Sequence, residues 1–133
     1  MFKRVGVLLW FWTPVFLWMG IIFYASSIVS DQMPKFDIRN IDKLFHLVEY
    51  LVLGFLLARA FVHSSVKPNY KLIFIAAVAI ALLYGASDEI HQRFVSGRSC
   101  DIIDLLSDLI GSAIGAGLSL YKERVKSAID KTV

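Results

Sequence analysis

Cysteine is nearly absent from this chain of 133 residues. The only one is Cys100, so no intramolecular disulfide can staple the fold, and cysteine usage carries no information about compartment. Charge is also scarce, at 19% against 57% hydrophobic residues, with a mean hydropathy of +0.64. That balance is too apolar for an ordinary soluble domain. A soluble helical bundle would have to bury four separate apolar runs, more than so short a chain can cover. No repeat or low-complexity tract breaks the sequence, and its length suits a single domain over 1–133. The net charge of +3 is small and calls for no nucleic-acid partner.

What the sequence has instead is long hydrophobic runs. The first covers 5–29, is rich in Trp and Phe, and follows Lys3 and Arg4. A cleaved signal peptide is the competing reading, since Ala25, Ser26 and Ser27 are small enough for a cleavage site. The run is too long for a usual signal core, and Trp10, Trp12 and Trp18 suit a retained span. Pro14 is expected to kink the helix without ending it. Further spans are expected at about 44–62, 70–87 and 102–121, with Pro68 and Asn69 separating the second from the third. The residues after Lys122 read as a short polar extension of the last helix. The fold class is thus all-α, an integral membrane four-helix bundle.

Orientation follows from the basic residues. Nine of the 14 Lys and Arg residues fall at the chain termini or between the second and third spans. Nine of the 11 acidic residues lie with the other five, near the 30–43 and 88–101 loops. Both termini are therefore expected on the cytoplasmic side, with those two loops outside.

Acidic residues recur inside this apolar setting. Asp101, Asp104 and Asp108 stand at i, i+3 and i+7 on one helical face, which Gly111 and Gly115 continue. With ~1.5 Å of rise per residue from Lys122, Asp108 sits ~9 Å inside a ~30 Å slab. Glu49 reaches a similar depth from the opposite direction, with His46 and Tyr50 beside it. If the third helix continues past Ser87, then Asp88, His91 and Gln92 point to one side. Ionisable groups at bilayer depth are costly, so several at one level mark a polar pocket opening outward. Gly111 and Gly115 read as a close-packing pair, and Tyr50 as a donor to a carboxylate.

The runs that carry these residues resemble the VanZ-like membrane protein family. Asp42, Lys43, His46, Tyr50 and Gly54 match its first signature, and the run from Ser87 to Arg98 its second. Asp101, Asp104, Gly111 and Gly115 resemble the continuation into the last helix. The resemblance covers the last three spans in order and spacing. Position 108 is Asp where Asn is more frequent, and position 96 is Ser where Pro is common. Glu49 is not carried over from the family pattern. The resemblance implies a bacterial inner-membrane protein of the cell envelope, linked by the family's name to teicoplanin, a glycopeptide antibiotic.

Three functions compete for such a pocket. The first is a metal-dependent enzyme acting on a lipid headgroup or lipid phosphate. His46, Asp88, Glu89 and Asp104 are then the catalytic candidates, with His46 or His91 as acid or base. Asp88, Glu89, His91, Asp101 and Asp104 would hold Mg²⁺, Mn²⁺ or Zn²⁺. Lys43, Tyr50, Gln92 and Arg98 would bind substrate, Arg98 as a bidentate phosphate clamp. The second is a non-catalytic binder of a lipid-linked envelope precursor or glycopeptide. In its small proton-coupled transporter form it would need a homodimer, because four short helices leave little room for alternating access. The third is a structural ion network that fixes helix register. Membrane lipids are partners in all three.

Overall fold

The computed structural model describes the backbone of residues 2–29, 41–98 and 100–132. Among these, four helices follow one another: α1 (Phe2–Ser26), α2 (Ile41–Ser64), α3 (Tyr70–Gln92) and α4 (Ile102–Ile129). The expected outer loop residues 30–40, with Lys35 and Arg39, lie outside the described residues. All four helices are long and apolar enough to cross a membrane. Helix α1 runs through Pro14, and α3 continues five residues beyond Ser87, past the expected end of the third span. Asn69 caps α3 by accepting from the Leu72 amide, and Asp101 caps α4 by accepting from the Ile103 amide.

Helices α2 and α4 form the most extensive contact in the bundle. Glycine is the reason. A Cβ on Gly111 would strike the carbonyl oxygen of Leu47, one on Gly115 that of Leu51, and one on Gly54 the backbone of Ser112. The two backbones therefore touch, as small residues permit in membrane bundles. Below that seam Leu53, Leu57, Ala116 and Leu120 build a buried apolar core. Helix α3 joins through Ala77 and Ala81.

Helix α1 is held differently. Among its described side chains only Val15, Ile22 and Ser26 are buried, while Trp10, Phe16, Leu17 and Tyr24 are exposed, as a lipid-facing helix requires. Its attachments are directional. The Trp12 indole donates to Ser64 Oγ at 2.9 Å, and the Trp18 indole to the Glu49 carbonyl at 2.8 Å. The Tyr84 hydroxyl donates to the Met19 carbonyl at 2.6 Å. At the end where Phe11 stacks on His63, Arg59 lies over the same Phe11 ring and Arg124 over Tyr70. Arg59 and Arg124 thus sit at one end of the bundle, and the cluster of Asp88, Glu89, Asp101, Asp104 and Asp108 at the other.

Candidate functional site

The polar end is built by the start of α2, the end of α3 and the start of α4. Lys43 Nζ sits 2.7 Å from Asp101 Oδ2, 2.7 Å from Asp104 Oδ1 and 2.9 Å from Asp42 Oδ2. One ammonium thus ties the first turn of α2 to the first turn of α4. Asp101 lies outside the helical spans, and the Lys43 ammonium holds its carboxyl below the usual carboxylate range, helped by the Ile103 amide. One turn deeper, His46 Nδ1 meets Asp108 Oδ1 at 3.0 Å, and its Nε2 stands 4.0 Å from Glu89 Oε1. Asp108 is 0% exposed, so it depends on such a partner.

Helix α3 supplies the facing wall. Glu89 Oε2 accepts the Asp101 backbone N–H at 2.8 Å, which pins that carboxylate. Gln92 donates to Asp88 Oδ2 at 2.9 Å and accepts from Arg98 Nη2, also at 2.9 Å. Arg98 is brought back by the turn at Gly97, whose φ of 76° suits glycine. A cavity of about 170 Å³ lies between these walls, lined by Lys43, His46, Gln92, Arg98, Asp101 and Asp104, with Asp42 and Gly97 at its edge.

Among the described residues, four buried polar atoms here have no hydrogen-bond partner: Glu89 Oε1, Asp88 Oδ1, Asp108 Oδ2 and Tyr50 Oη. Native interiors carry few such groups, and each calls for an explanation. The Asp108 oxygen occupies space left by a glycine. A Cβ on Gly85 would stand 2.6 Å from Asp108 Oδ2 and 3.3 Å from Tyr50 Cε1.

His46, Asp88, Glu89, Gln92, Arg98, Asp101, Asp104 and Lys43 thus converge. His91, expected among metal ligands, does not. Its Nε2 pairs with Ser27 Oγ at 3.0 Å and its ring lies 4.6 Å from Phe23, because α1 covers that side of α3. Tyr50 is corrected too. Its ring packs against those of His46 and Tyr84, while its hydroxyl, expected to reach a carboxylate, is buried without a partner. Asp88 belongs to the Gln92 pair and lies outside the tight ligand group of His46, Glu89 and Asp104, whose donor atoms fall within 4.8 Å of one another. Glu49 is half-buried on α2, its backbone carbonyl accepting from the Trp18 indole of α1. Gly85 and the partnership of Asp108 with His46 were missed in sequence. The signal was there: Gly85 and Asp88 share a helical face, and Asp108 extends the stripe of Asp101 and Asp104.

Fold and site together define a multi-pass membrane protein of four helices with a buried carboxylate–histidine cluster at one end. The VanZ/LLP1 family model matches residues 11–123, most of the chain, and the chain belongs to that family. No curated protein and no solved structure matches it.

Proposed function

We propose that this protein is a cell-envelope component that captures the polar headgroup of an amphipathic or lipid-linked envelope molecule in the cavity between α2, α3 and α4. The distribution of Lys and Arg supports placing both termini in the cytoplasm and the cavity on the outer face of the bacterial inner membrane. The observation that carries the reading is the cavity itself. Its walls are charged, while Leu44, Phe45, Ile102, Ile103 and Leu106 around it are exposed apolar groups suited to acyl chains. A molecule with a polar head and greasy tail fits that boundary.

Volume decides between candidate ligands. At about 170 Å³ the cavity is well below the ~300 Å³ that a drug-sized ligand requires. A whole glycopeptide cannot enter it; a headgroup fragment can. A role in teicoplanin resistance rests on family resemblance and would be indirect, through an envelope molecule. Recognition is favoured over catalysis because Lys43 is committed to Asp101 and Asp104, and Arg98 to Gln92. Hydrolysis of the captured headgroup is the second reading, favoured by one observation: among the described residues no hydrogen bond occupies His46 Nε2, which lies 4.0 Å from Glu89 Oε1.

The experiment is mass spectrometry of lipids retained by purified protein, after reconstitution with an envelope lipid extract. Wild type should retain one headgroup class that Arg98→Gln loses. Equal retention by both, or no selectivity, removes the reading. Labelling of exposed Cys100 from outside intact cells checks the orientation.

A further inference from the structure

We infer that His46, Glu89 and Asp104 form a three-ligand site for a divalent transition-metal cation, Zn²⁺ by ligand preference, open on its fourth side to the cavity. The inference deepens the headgroup reading and rests on it for the cation's role, which is to bridge the cluster to a phosphate.

The argument begins with the histidine. A carboxylate only accepts, so the contact with Asp108 Oδ1 at 3.0 Å puts the hydrogen on His46 Nδ1. In the neutral ring Nε2 then keeps its lone pair. That is the carboxylate–histidine arrangement which orients a metal-binding imidazole and raises its basicity. Nε2 points to within 4.0 Å of Glu89 Oε1. Glu89 is held by the Asp101 amide through its other oxygen, is 3% exposed, and leaves Oε1 without a partner. A pinned, buried and unsatisfied carboxylate oxygen aimed at an imidazole lone pair is costly unless something sits between them. Asp104 offers a carboxylate at the same point, one oxygen on Lys43.

Distances fit with modest closure. The three donor atoms lie within 4.8 Å of one another. Bonds of ~2.1 Å to a tetrahedral centre put donors roughly 3.4 Å apart, so movements of about 1 Å close the site. Charge supports the same cation. Lys43 and Arg98 are outnumbered by Asp42, Asp88, Glu89, Asp101, Asp104 and Asp108, a balance that repels a bare phosphate. A dication offsets two carboxylates and gives the phosphate a point of attachment. The mixed nitrogen and oxygen donor set favours Zn²⁺ over Mg²⁺, which prefers oxygen and its own waters.

The test uses full-length protein in nanodiscs, stripped with chelator and titrated with Zn²⁺ against a chromophoric competitor. Wild type is expected to take up about one equivalent, and His46→Gln and Glu89→Gln each to bind at least roughly 100-fold more weakly, with Asp108→Asn weakened about 10-fold. Elution profile and thermal midpoint establish that the variants are folded. Should either fail to fold, wild type loaded with Co²⁺ decides alone: a ligand-field spectrum of a low-coordinate nitrogen/oxygen site supports the inference, and that of the aquated ion overturns it. Absence of saturable Zn²⁺ uptake, or variants that bind like wild type, also overturns it. Headgroup retention run in chelator separates the two readings. Retention with no metal uptake overturns the cation site and leaves the headgroup reading intact; uptake with no retention does the reverse.

Discussion

The seam between α2 and α4 and the seam between α1 and the rest of the bundle hold the same protein together by opposite means. Across the first, backbones touch at Gly54, Gly111 and Gly115, and Lys43, His46, Asp101 and Asp104 of the cavity are carried at its polar end. Across the second, the contact is made by side chains: buried Val15 and Ile22, with two tryptophan indoles and one tyrosine hydroxyl each aimed at a single acceptor. Backbone contact leaves no slack, and that fixes Lys43 against Asp101 and His46 against Asp108 to hydrogen-bond precision. Side-chain reach is more forgiving. The site therefore stands on the rigid seam, while α1 walls off His91 and faces lipid.

Matched substitutions break this contrast, beginning with the largest effect. Gly115→Leu is expected to prevent stable assembly, because overpacking that already costs about 1–3 kcal/mol in side-chain contacts here meets a backbone carbonyl. Gly117→Leu, with open space at its Cβ, should elute and melt like wild type. Size-exclusion profiles in detergent report both; equal behaviour would remove the close-contact seam. Lys43→Met comes next. It strands Asp101 and the buried Asp104, so thermal or denaturant unfolding should show a loss of about 3 kcal/mol. A double substitution, Lys43→Met with Asp104→Leu, should recover part of it.

On the α1 seam the effects are smaller. Trp18→Phe keeps the ring and loses the hydrogen bond to Glu49, worth about 1 kcal/mol. A loss as large as that of Lys43→Met would erase the distinction between the seams. The smallest effect is with pH. Asp101 has its folded pKa depressed, so the stabilisation from its Lys43 pair is fully present above the ordinary carboxylate range. It is lost only as pH falls through the depressed value. Stability difference between wild type and Asp101→Asn should be flat from neutral pH down to that range and shrink below it; a change near neutrality would contradict the assignment.

Much of this was legible in sequence because each part follows from a local rule. Span positions come from hydrophobic length, and the polar stripe of Asp101, Asp104 and Asp108 from helical spacing. The apolar run ended the third span at 87, and only the polar spacing of Asp88 and Gln92 pointed to a helix beyond it, which is observed to Gln92. What was not legible is which neighbour covers which face. His91 is one turn from Asp88 yet turns toward Ser27, a choice set by the position of α1 and by nothing local. Tyr50 lies one turn from His46 but is sealed behind it rather than in the cavity. Gly85 matters only because Asp108 arrives opposite it from another helix, which no single-helix pattern reveals.

The sharpest test of the polar cluster as a ligand site rather than a register device is Glu89→Gln, measured for thermal midpoint and ligand retention on the same sample. Its Oε2 contact can be kept by the amide oxygen while the orphan carboxylate charge disappears. The expected result is an unchanged or higher midpoint together with lost metal and headgroup binding. A lower midpoint with binding intact would show that the carboxylate is there to hold helices, and the site would have no function of its own.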